Sequence, residues 1–176
     1  MSGDGVTNRR ILIIDDNESI HQDYNKVLVG PAANTEFDAL SAEIFGDEFV
    51  AEPSHAVYEL ESAFQGKEGL ARVMDSIDNG RPFAMAFVDM RMPPGWDGLQ
   101  TIEEIWKVDP KLCVVICSAY SDHSWADVAK RLGTNDRWLV LKKPFDSAEV
   151  RQLAAALVEK KRMADILKEG LTALEV

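Results

Sequence analysis

The sequence predicts an α/β fold, a doubly wound, five-stranded parallel sheet with helices on both faces. Five short apolar runs alternate with stretches in which apolar residues recur every three or four positions, the spacing of an amphipathic helix. The run at 83–88 is almost entirely apolar, as expected of a strand that is covered on both faces. Strands that alternate with helices form parallel sheets through right-handed crossovers, so all five strand ends should meet at one edge.

The first strand and helix occupy the N-terminal part of the chain. Apolar residues at 11–14 end in the acid pair Asp15 and Asp16, and helical spacing at 18–29 ends at Gly30. The segment 31–55 that follows is acidic and rich in alanine, and it carries no strand pattern. We interpret it as an insertion before the second strand that contains a short amphipathic helix. Both a docking element and a flexible loop fit this composition.

The remaining strands are predicted at 56–62, 83–88, 112–117 and 138–141. Each intervening helix has an apolar face: Leu70, Val73, Met74 and Ile77 in the second, Leu99, Ile102, Ile105 and Trp106 in the third, Trp125, Val128, Ala129 and Leu132 in the fourth. Helix breakers such as Gly80 and Gly133 follow these faces, so the helices are predicted to end there.

The C-terminal segment carries a heptad pattern. Its apolar positions alternate in steps of three and four, with Lys160 in the one gap: Val150, Leu153, Leu157, Ala164, Leu167, Leu171 and Leu174. We predict a domain at 1–158 and a helical extension at 159–176. The extension fits a parallel homodimeric coil or a linker to a further output domain, and it also fits a helix folded back on its own domain. Because the pattern still runs at its end, we expect the chain to be part of a longer protein.

Composition limits the classes of function. A formal net charge of −11 disfavours direct binding to nucleic acid and to anionic membrane surfaces. No apolar run has the length of a membrane span and the N-terminus lacks the apolar core of a signal peptide, so we expect a cytoplasmic protein. Cys113 and Cys117 are predicted to be small buried apolar residues, and the three histidines show no metal-ligand spacing.

Reactive side chains follow four of the five strands: Asp15 and Asp16, Asp89, Ser118, and Lys143. Ligand sites in open α/β sheets lie beyond the carboxyl ends of the strands, so these side chains should lie together. Carboxylates about 5 Å apart repel by roughly 3 kcal/mol per pair at an effective dielectric near 20, which a divalent cation relieves. Oxygen ligands without His or Cys favour Mg²⁺, which in turn indicates phosphate chemistry. An Asp carboxylate can be the nucleophile in phosphoryl transfer, while a lysine and a hydroxyl meet the charge of the transferred group.

Four motifs in order give the sequence a family resemblance: IIDD at 13–16, VDMRMP followed by DG at 88–93 and 97–98, CSA at 117–119 and KKPF at 142–145. Over roughly residues 9–158 the chain resembles a response-regulator receiver domain of two-component signalling. The resemblance implies the strand order 2-1-3-4-5 of the chemotaxis receiver. It also implies Mg²⁺ as cofactor and a histidine kinase or phosphotransfer protein as the source of the phosphoryl group.

The same resemblance implies a role for each site residue. Asp89 is the phospho-acceptor, Ser118 holds the position of the switch hydroxyl, and Lys143, directly before a proline, pairs with the phosphoryl group. Lys142 is then only its neighbour. The implied protein ligands of Mg²⁺ are four: Asp15, often through water, Asp16, Asp89 and the backbone carbonyl of Arg91.

Three features depart from the family pattern. The turn after Asp89 reads MPPGWDG, one residue longer than the common form, and it brings Trp96 beside the site. Val140 stands three residues before Lys143, where many receivers have an aromatic switch residue, which puts the usual relay in doubt. The insertion at 31–55 is the third departure.

Two rival functions share some of the features of a phospho-accepting receiver. A pseudo-receiver would recognise partners without phosphorylation, although the intact set of acids argues against it. A phosphatase of the haloacid dehalogenase type expects a second acid two residues after the nucleophile, where this chain has Arg91. We therefore predict a signalling regulator and not an enzyme, apart from its own phosphorylation and dephosphorylation.

Overall fold

The computed structural model describes residues 7–30, 57–119 and 124–175. Its strands are β1 (Arg10–Ile14), β2 (Glu59–Ala63), β3 (Met85–Asp89), β4 (Cys113–Ser118) and β5 (Trp138–Lys142). They form one parallel sheet in the order β2-β1-β3-β4-β5, which confirms the predicted fold class and strand order. The predicted insertion at 31–55, with its short helix, lies outside the described residues.

Within the described residues, five helices connect and follow these strands: α1 (Glu18–Leu28), α2 (Gly66–Asp78), α3 (Gly98–Val108), α4 (Trp125–Leu132) and α5 (Ser147–Leu174). Because successive side chains of a strand point to opposite faces, the sheet has two apolar cores. On one face, residues of α1 and α5 such as Tyr24 pack against strand residues such as Phe87. On the other face, residues of α2, α3 and α4 such as Ile102 pack against strand residues such as Val88. As a result β3 is buried along its whole length, as predicted from its composition.

The buried face of α2 differs from the predicted one. Met74 and Ile77, expected in the core, are 46% and 41% exposed, whereas two glycines and Ser76 face the sheet together with Val73. At Gly69 a Cβ atom would lie 2.4 Å from Cδ1 of Ile14, so here the helix backbone itself rests on β1. Because the helix backbone approaches β1 so closely, the helix is rotated and Met74 and Ile77 point away from the sheet. Apolar periodicity alone does not predict this rotation.

The closing helix α5 continues well past the sheet. Its first half is anchored in the core by Val150, Ala154, Leu157 and Val158. Further along, Lys160 still contacts the body of the domain, because Nζ lies 2.6 Å from the Asp136 carbonyl oxygen and 2.9 Å from its carboxylate. The predicted domain boundary after residue 158 stays a prediction.

Cys113 and Cys117 are buried free thiols on the same face of β4, as predicted. None of the helices within 7–30, 57–119 and 124–175 combines the length and the apolar character that a bilayer span needs.

Candidate functional site

The acid pair stands where β1 ends and α1 begins. The amide of Asp15 donates to the Ala63 carbonyl at 3.1 Å, so its backbone continues the pairing of β1 with β2. Its side chain accepts from the amide of Asn17 at 2.9 Å, and Asn17 in turn caps α1 through Ser19. Asp15 is therefore buried and held by local structure, whereas Asp16 is exposed at the rim of the sheet edge.

Asp89 ends β3 at the centre of the same edge and is 8% exposed. The amide of the next residue, Met90, donates to the Cys117 carbonyl at 3.0 Å, and its carbonyl accepts from Gly98 at 2.9 Å. A Cβ atom at Gly98 would lie 2.5 Å from the Asp89 carbonyl oxygen, so a glycine is required where α3 starts against this strand. The backbone of Asp89 is thus fixed from both sides. Asp97 serves as the cap of α3, not as part of the site.

Lys143 joins the acids from the end of β5. Its Nζ lies 2.7 Å from Oδ2 of Asp15 and 3.1 Å from Oδ1 of Asp89, and its amide donates to the Ser118 carbonyl at 2.9 Å. Asp15, Asp16 and Asp89 each offer one carboxylate oxygen, and these atoms all lie within 4.8 Å of one another. The structure therefore brings three carboxylates and one lysine together, whereas the neighbouring side chain of Lys142 is exposed.

The electrostatics of the site are those of a net negative pocket. Burial raises the pKa of Asp89, the charge of Asp15 raises it further, and Lys143 only partly opposes this. Burial by itself would lower the pKa of Lys143, but the hydrogen bonds and charges of Asp15 and Asp89 outweigh it and the pKa is raised. One ammonium group therefore does not balance the carboxylates around it.

Ser118 and Arg91 lie beside this cluster. Asp89 pairs with Cys117 in the sheet, so Ser118 stands one residue further along β4. Ser118 is 3% exposed, and its hydroxyl donates to the Ala119 carbonyl at 2.9 Å. Arg91 follows Asp89 by two residues in the loop, and its side chain is exposed. The role predicted for Ser118 requires a bound phosphoryl group, and the role predicted for the Arg91 carbonyl requires bound Mg²⁺. Both roles therefore stay predictions.

Sequence analysis missed His21, which supports the acid pair from α1. Its Nε2 donates to the Asp15 carbonyl at 2.7 Å, its ring lies 4.5 Å from that of Phe64, and it is 3% exposed. A carbonyl oxygen only accepts, so the proton is on Nε2. The available signal was the spacing of His21, Tyr24 and Leu28, which are the buried residues of this helix.

A second buried contact lies beneath Asp89, between Tyr24 and Cys117. The Tyr24 hydroxyl is 3.0 Å from Sγ of Cys117. Burial raises the pKa of the Cys117 thiol to about 12 and raises the pKa of Tyr24 well above its usual value. Both groups are therefore neutral near pH 7, and the contact packs the floor of the site without adding charge.

The longer turn after Asp89 packs against the start of α2. The side-chain amide of Gln65 donates to the Pro93 carbonyl at 3.5 Å, and Nζ of Lys67 lies 5.6 Å from the centre of the Trp96 ring. A Cβ atom at Gly66 would lie 3.1 Å from Cβ of Trp96. Trp96 is thus half-buried between the turn and α2.

Comparison with known proteins identifies the family. The model of the response regulator receiver domain matches residues 49–155, more than half of the chain. This chain belongs to the response regulator receiver family. Receiver domains are generally phosphoryl-accepting regulators of two-component signalling. The match begins after β1 and therefore does not include Asp15 and Asp16. Because β1 pairs with both β2 and β3, these two acids nevertheless lie in the same sheet as the matched residues.

Individual proteins are similar to this chain over different shares of its length. It is 31% identical over 88 residues to sporulation initiation phosphotransferase F of Bacillus subtilis (strain 168), covering 50% of this chain and 66% of that protein, just under two thirds of its length. A solved structure described as adenylate cyclase from Rhodopirellula baltica is similar with a TM-score of 0.65 at 24% identity, over 94% of this chain and 98% of that chain. A CheY-like receiver domain protein from Methanospirillum hungatei JF-1 is similar with a TM-score of 0.60 at 19% identity, over 89% and 98%. At such identities the two structural likenesses show the fold alone.

Proposed function

We propose that this chain takes a phosphoryl group onto Asp89 from a histidine kinase or a phosphotransfer protein and thereby changes the surface that it presents to an output partner. The observation that supports this most directly is the meeting of Asp89 with two further carboxylates and Lys143 at the carboxyl edge of the sheet. A carboxylate can attack phosphorus to form an acyl phosphate. Asp89 is the acid of the three that ends the central, fully buried strand, where its position is fixed most firmly. We expect this to take place in the cytoplasm, as the sequence predicts.

Mg²⁺ fits the donor set of this site. Three carboxylates within 4.8 Å of one another carry more negative charge than one lysine balances, and every donor is an oxygen, which favours a hard cation. We assign Asp15, Asp16, Asp89 and the backbone carbonyl of Arg91 as the protein ligands. When bound, Mg²⁺ would neutralise charge on the oxygens of the incoming phosphoryl group.

The transfer itself is a displacement at phosphorus. A carboxylate oxygen of Asp89 forms the new P–O bond while the P–N bond to the donor histidine breaks, and the leaving imidazole takes up a proton from solvent. Lys143 already contacts the acceptor, so its ammonium group can shift from Asp15 and Asp89 to an oxygen of the transferred group. No further side chain need act as a general base, because the carboxylate carries no proton to remove.

Ser118 provides the proposed switch. Its hydroxyl now donates to the Ala119 carbonyl, so binding a phosphoryl oxygen requires the Ser118 side chain to rotate away from that carbonyl. That rotation changes the contacts at the end of β4. Val140, half-buried on β5 where many receivers have an aromatic residue, offers no ring to follow the hydroxyl. We therefore propose that the change reaches the surface through Ala119, which is exposed directly after β4.

Intact mass after incubation with acetyl phosphate tests the proposal. With Mg²⁺ the wild type should gain the mass of one phosphoryl group, and Asp89→Asn should gain none. Asp75→Asn, which removes an exposed acid on α2, should be phosphorylated like the wild type and controls for the loss of one negative charge. Lys143→Met should react more slowly, because it loses the ammonium group that contacts the acceptor.

Two results would contradict the assignment. A phosphoryl group retained by Asp89→Asn would place the acceptor elsewhere. A wild type that gains no mass from acetyl phosphate, and none from a phosphorylated histidine phosphotransfer protein, would favour the pseudo-receiver alternative, in which the domain binds partners without phosphorylation. Omitting Mg²⁺, or adding a chelator, should abolish the gain if the metal assignment is right.

A further inference from the structure

We propose that the part of α5 beyond Lys160 forms a parallel two-stranded coiled coil with a second copy of this chain. This proposal goes beyond phosphorylation and does not rest on it. The helix runs without interruption from Ser147 to Leu174, so its last turns extend past the contact between Lys160 and Asp136. At 1.5 Å per residue, the part from 161 to 174 is about 21 Å long, enough for two heptads.

An apolar stripe runs along this projecting part. Its large side chains are between 50% and 83% exposed: Met163, Ile166, Leu167, Leu171 and Leu174. By comparison, Leu12 in the core is 0% exposed. Four of these residues, Met163, Leu167, Leu171 and Leu174, lie along one side of the helix, with Ile166 on the neighbouring side, and such a group is larger than the isolated exposed residues that are normal in a folded protein. The stripe is the kind of surface that packs against a partner.

The stripe has the register of a two-stranded coil. Steps of three and four place Ala164 and Leu171 at a positions and Leu167 and Leu174 at d positions. The side chains of these positions would interdigitate along one seam, and Met163 at g would widen it. Lys160 falls at the preceding d position but is held by Asp136 of its own domain, so the seam begins after it. The seam therefore begins in the last turns of α5 that lie against the domain, where Asp165, on another side of the helix, lines a cavity with Arg10 and Glu59.

Charge favours a parallel pair of identical helices. The e positions are Lys161, Lys168 and Glu175, whereas the g positions are Met163 and Gly170. Lys161 is already paired with Asp165 of its own helix at 2.6 Å, so Lys168 decides the orientation. In a fully overlapping antiparallel pair, e positions face e positions, so Lys168 would lie opposite Lys168 of the second copy and repel it. In a parallel pair, e faces g, and the aliphatic part of Lys168 can pack against the Met163 of the second copy.

The charge of the extension also suits a second copy better than most partners. The whole chain carries a formal charge of −11, but residues 159–175 contain four basic and four acidic residues. Two strongly acidic copies therefore meet through their neutral part, which limits their mutual repulsion. Because α5 starts after β5 at the edge that carries the site and runs back along the sheet, the extension lies at the end of the domain away from the acidic site.

Sedimentation equilibrium of the 1–176 chain tests the proposal. The expected mass is twice the 19.6 kDa of one chain at high concentration, with dissociation on dilution. Leu171→Glu should give the monomer mass, because it places a charge at an a position. Thr172→Glu is the matched control, since it adds the same charge on the adjacent, exposed position outside the seam and should leave the dimer intact. Circular dichroism should show both variants folded, because residue 171 lies outside the core.

Disulfide formation tests the orientation. Leu174→Cys should form a disulfide between two copies on mild oxidation, because equivalent d positions of a parallel pair lie close together. Glu169→Cys, on the outer face of the helix, should not. The native thiols are buried, so the wild type gives the baseline. A monomer up to millimolar concentration, a dimer that survives Leu171→Glu, or equal cross-linking at both cysteine positions would overturn the proposal. A monomer would indicate that the stripe is covered by another segment of the same chain.

Discussion

Replacing Asp89 by asparagine should stabilise the fold while it removes the phospho-acceptor. In the wild type, Asp89 gains from Lys143, whose Nζ lies 3.1 Å away, and loses from Asp15 and Asp16, whose carboxylate oxygens lie within 4.8 Å. At an effective dielectric of about 20, the attraction is about 5 kcal/mol and each repulsion about 3.5 kcal/mol. Solvent screens the repulsion from exposed Asp16 to roughly half, so the charge terms nearly cancel.

Burial then decides the sign. Burying the Asp89 carboxylate costs desolvation free energy. Because its attraction to Lys143 and its repulsion from the other acids nearly cancel, nothing compensates for this cost. The same desolvation raises the pKa of Asp89. Asparagine keeps an oxygen that can accept from Lys143 but carries no charge. We therefore expect Asp89→Asn to raise the free energy of unfolding by about 1 to 2 kcal/mol without Mg²⁺. Because m is about 2 kcal/mol per molar urea for domains of this size, the urea midpoint should rise by about 0.5 to 1 M.

Urea unfolding in the presence of a chelator measures this effect, with Asp75→Asn as the control that should leave the midpoint within about 0.2 M of the wild type. Adding Mg²⁺ should then stabilise the wild type more than Asp89→Asn, because a ligand of the metal is missing from the variant. A lower midpoint for Asp89→Asn in chelator would refute the balance of charges given above. Equal stabilisation of both proteins by Mg²⁺ would refute the metal assignment instead.

Three further predictions concern pH, the glycine at the start of α3 and the buried histidine of α1. Without Mg²⁺, the stability difference between Asp89→Asn and wild type should shrink in urea titrations as pH falls from neutral towards 3.8, because the folded state, with its raised pKa, takes up the proton first and loses the unfavourable charge. Gly98→Ala should lower the free energy of unfolding in urea by about 1 to 3 kcal/mol and weaken Mg²⁺ binding, because its Cβ would meet the Asp89 carbonyl. Gly170→Ala, which has open space around it, is the control and should stabilise its helix by about 1 kcal/mol. His21→Leu should lower stability by about 1 to 2 kcal/mol and weaken Mg²⁺ binding measured by calorimetry, because the carbonyl of Asp15 loses its donor; unchanged Mg²⁺ affinity would show that His21 has no part in placing the acids.

Much of the fold and of the site follows from the sequence, because most strands are apolar runs and four of the five are followed by a reactive side chain. Apolar runs that stop at Asp15, Asp89 and Lys143 determine both the strands and the edge that collects them, since parallel strands share one direction. The sheet order came from the resemblance, because local patterns do not say which strands are neighbours. The meeting of the three carboxylates within 4.8 Å follows once that order is known.

The features that the sequence did not reveal depend on close approach in three dimensions. Periodicity predicted Met74 and Ile77 inside, but contact of the Gly69 backbone with β1 turned them outwards. A polar residue such as His21 gives no apolar signal, so its bond to the Asp15 carbonyl becomes visible only when α1 is placed beside β1. The rotamer of Ser118 is likewise a property of the folded loop and not of the CSA motif.

The position of β1 between β2 and β3 has a consequence for how the domain can be trimmed. Ile11 pairs with Leu60 on one side and with Met85 on the other, partners 49 and 74 residues along the chain. A fragment limited to the family match at 49–155 would therefore keep β2 but remove the strand that connects it to the rest of the sheet. With strands about 4.8 Å apart, the gap would be roughly 10 Å wide and lined by apolar side chains. The shortest independently folding piece must start before Arg10, so that β1 stays paired with both β2 and β3.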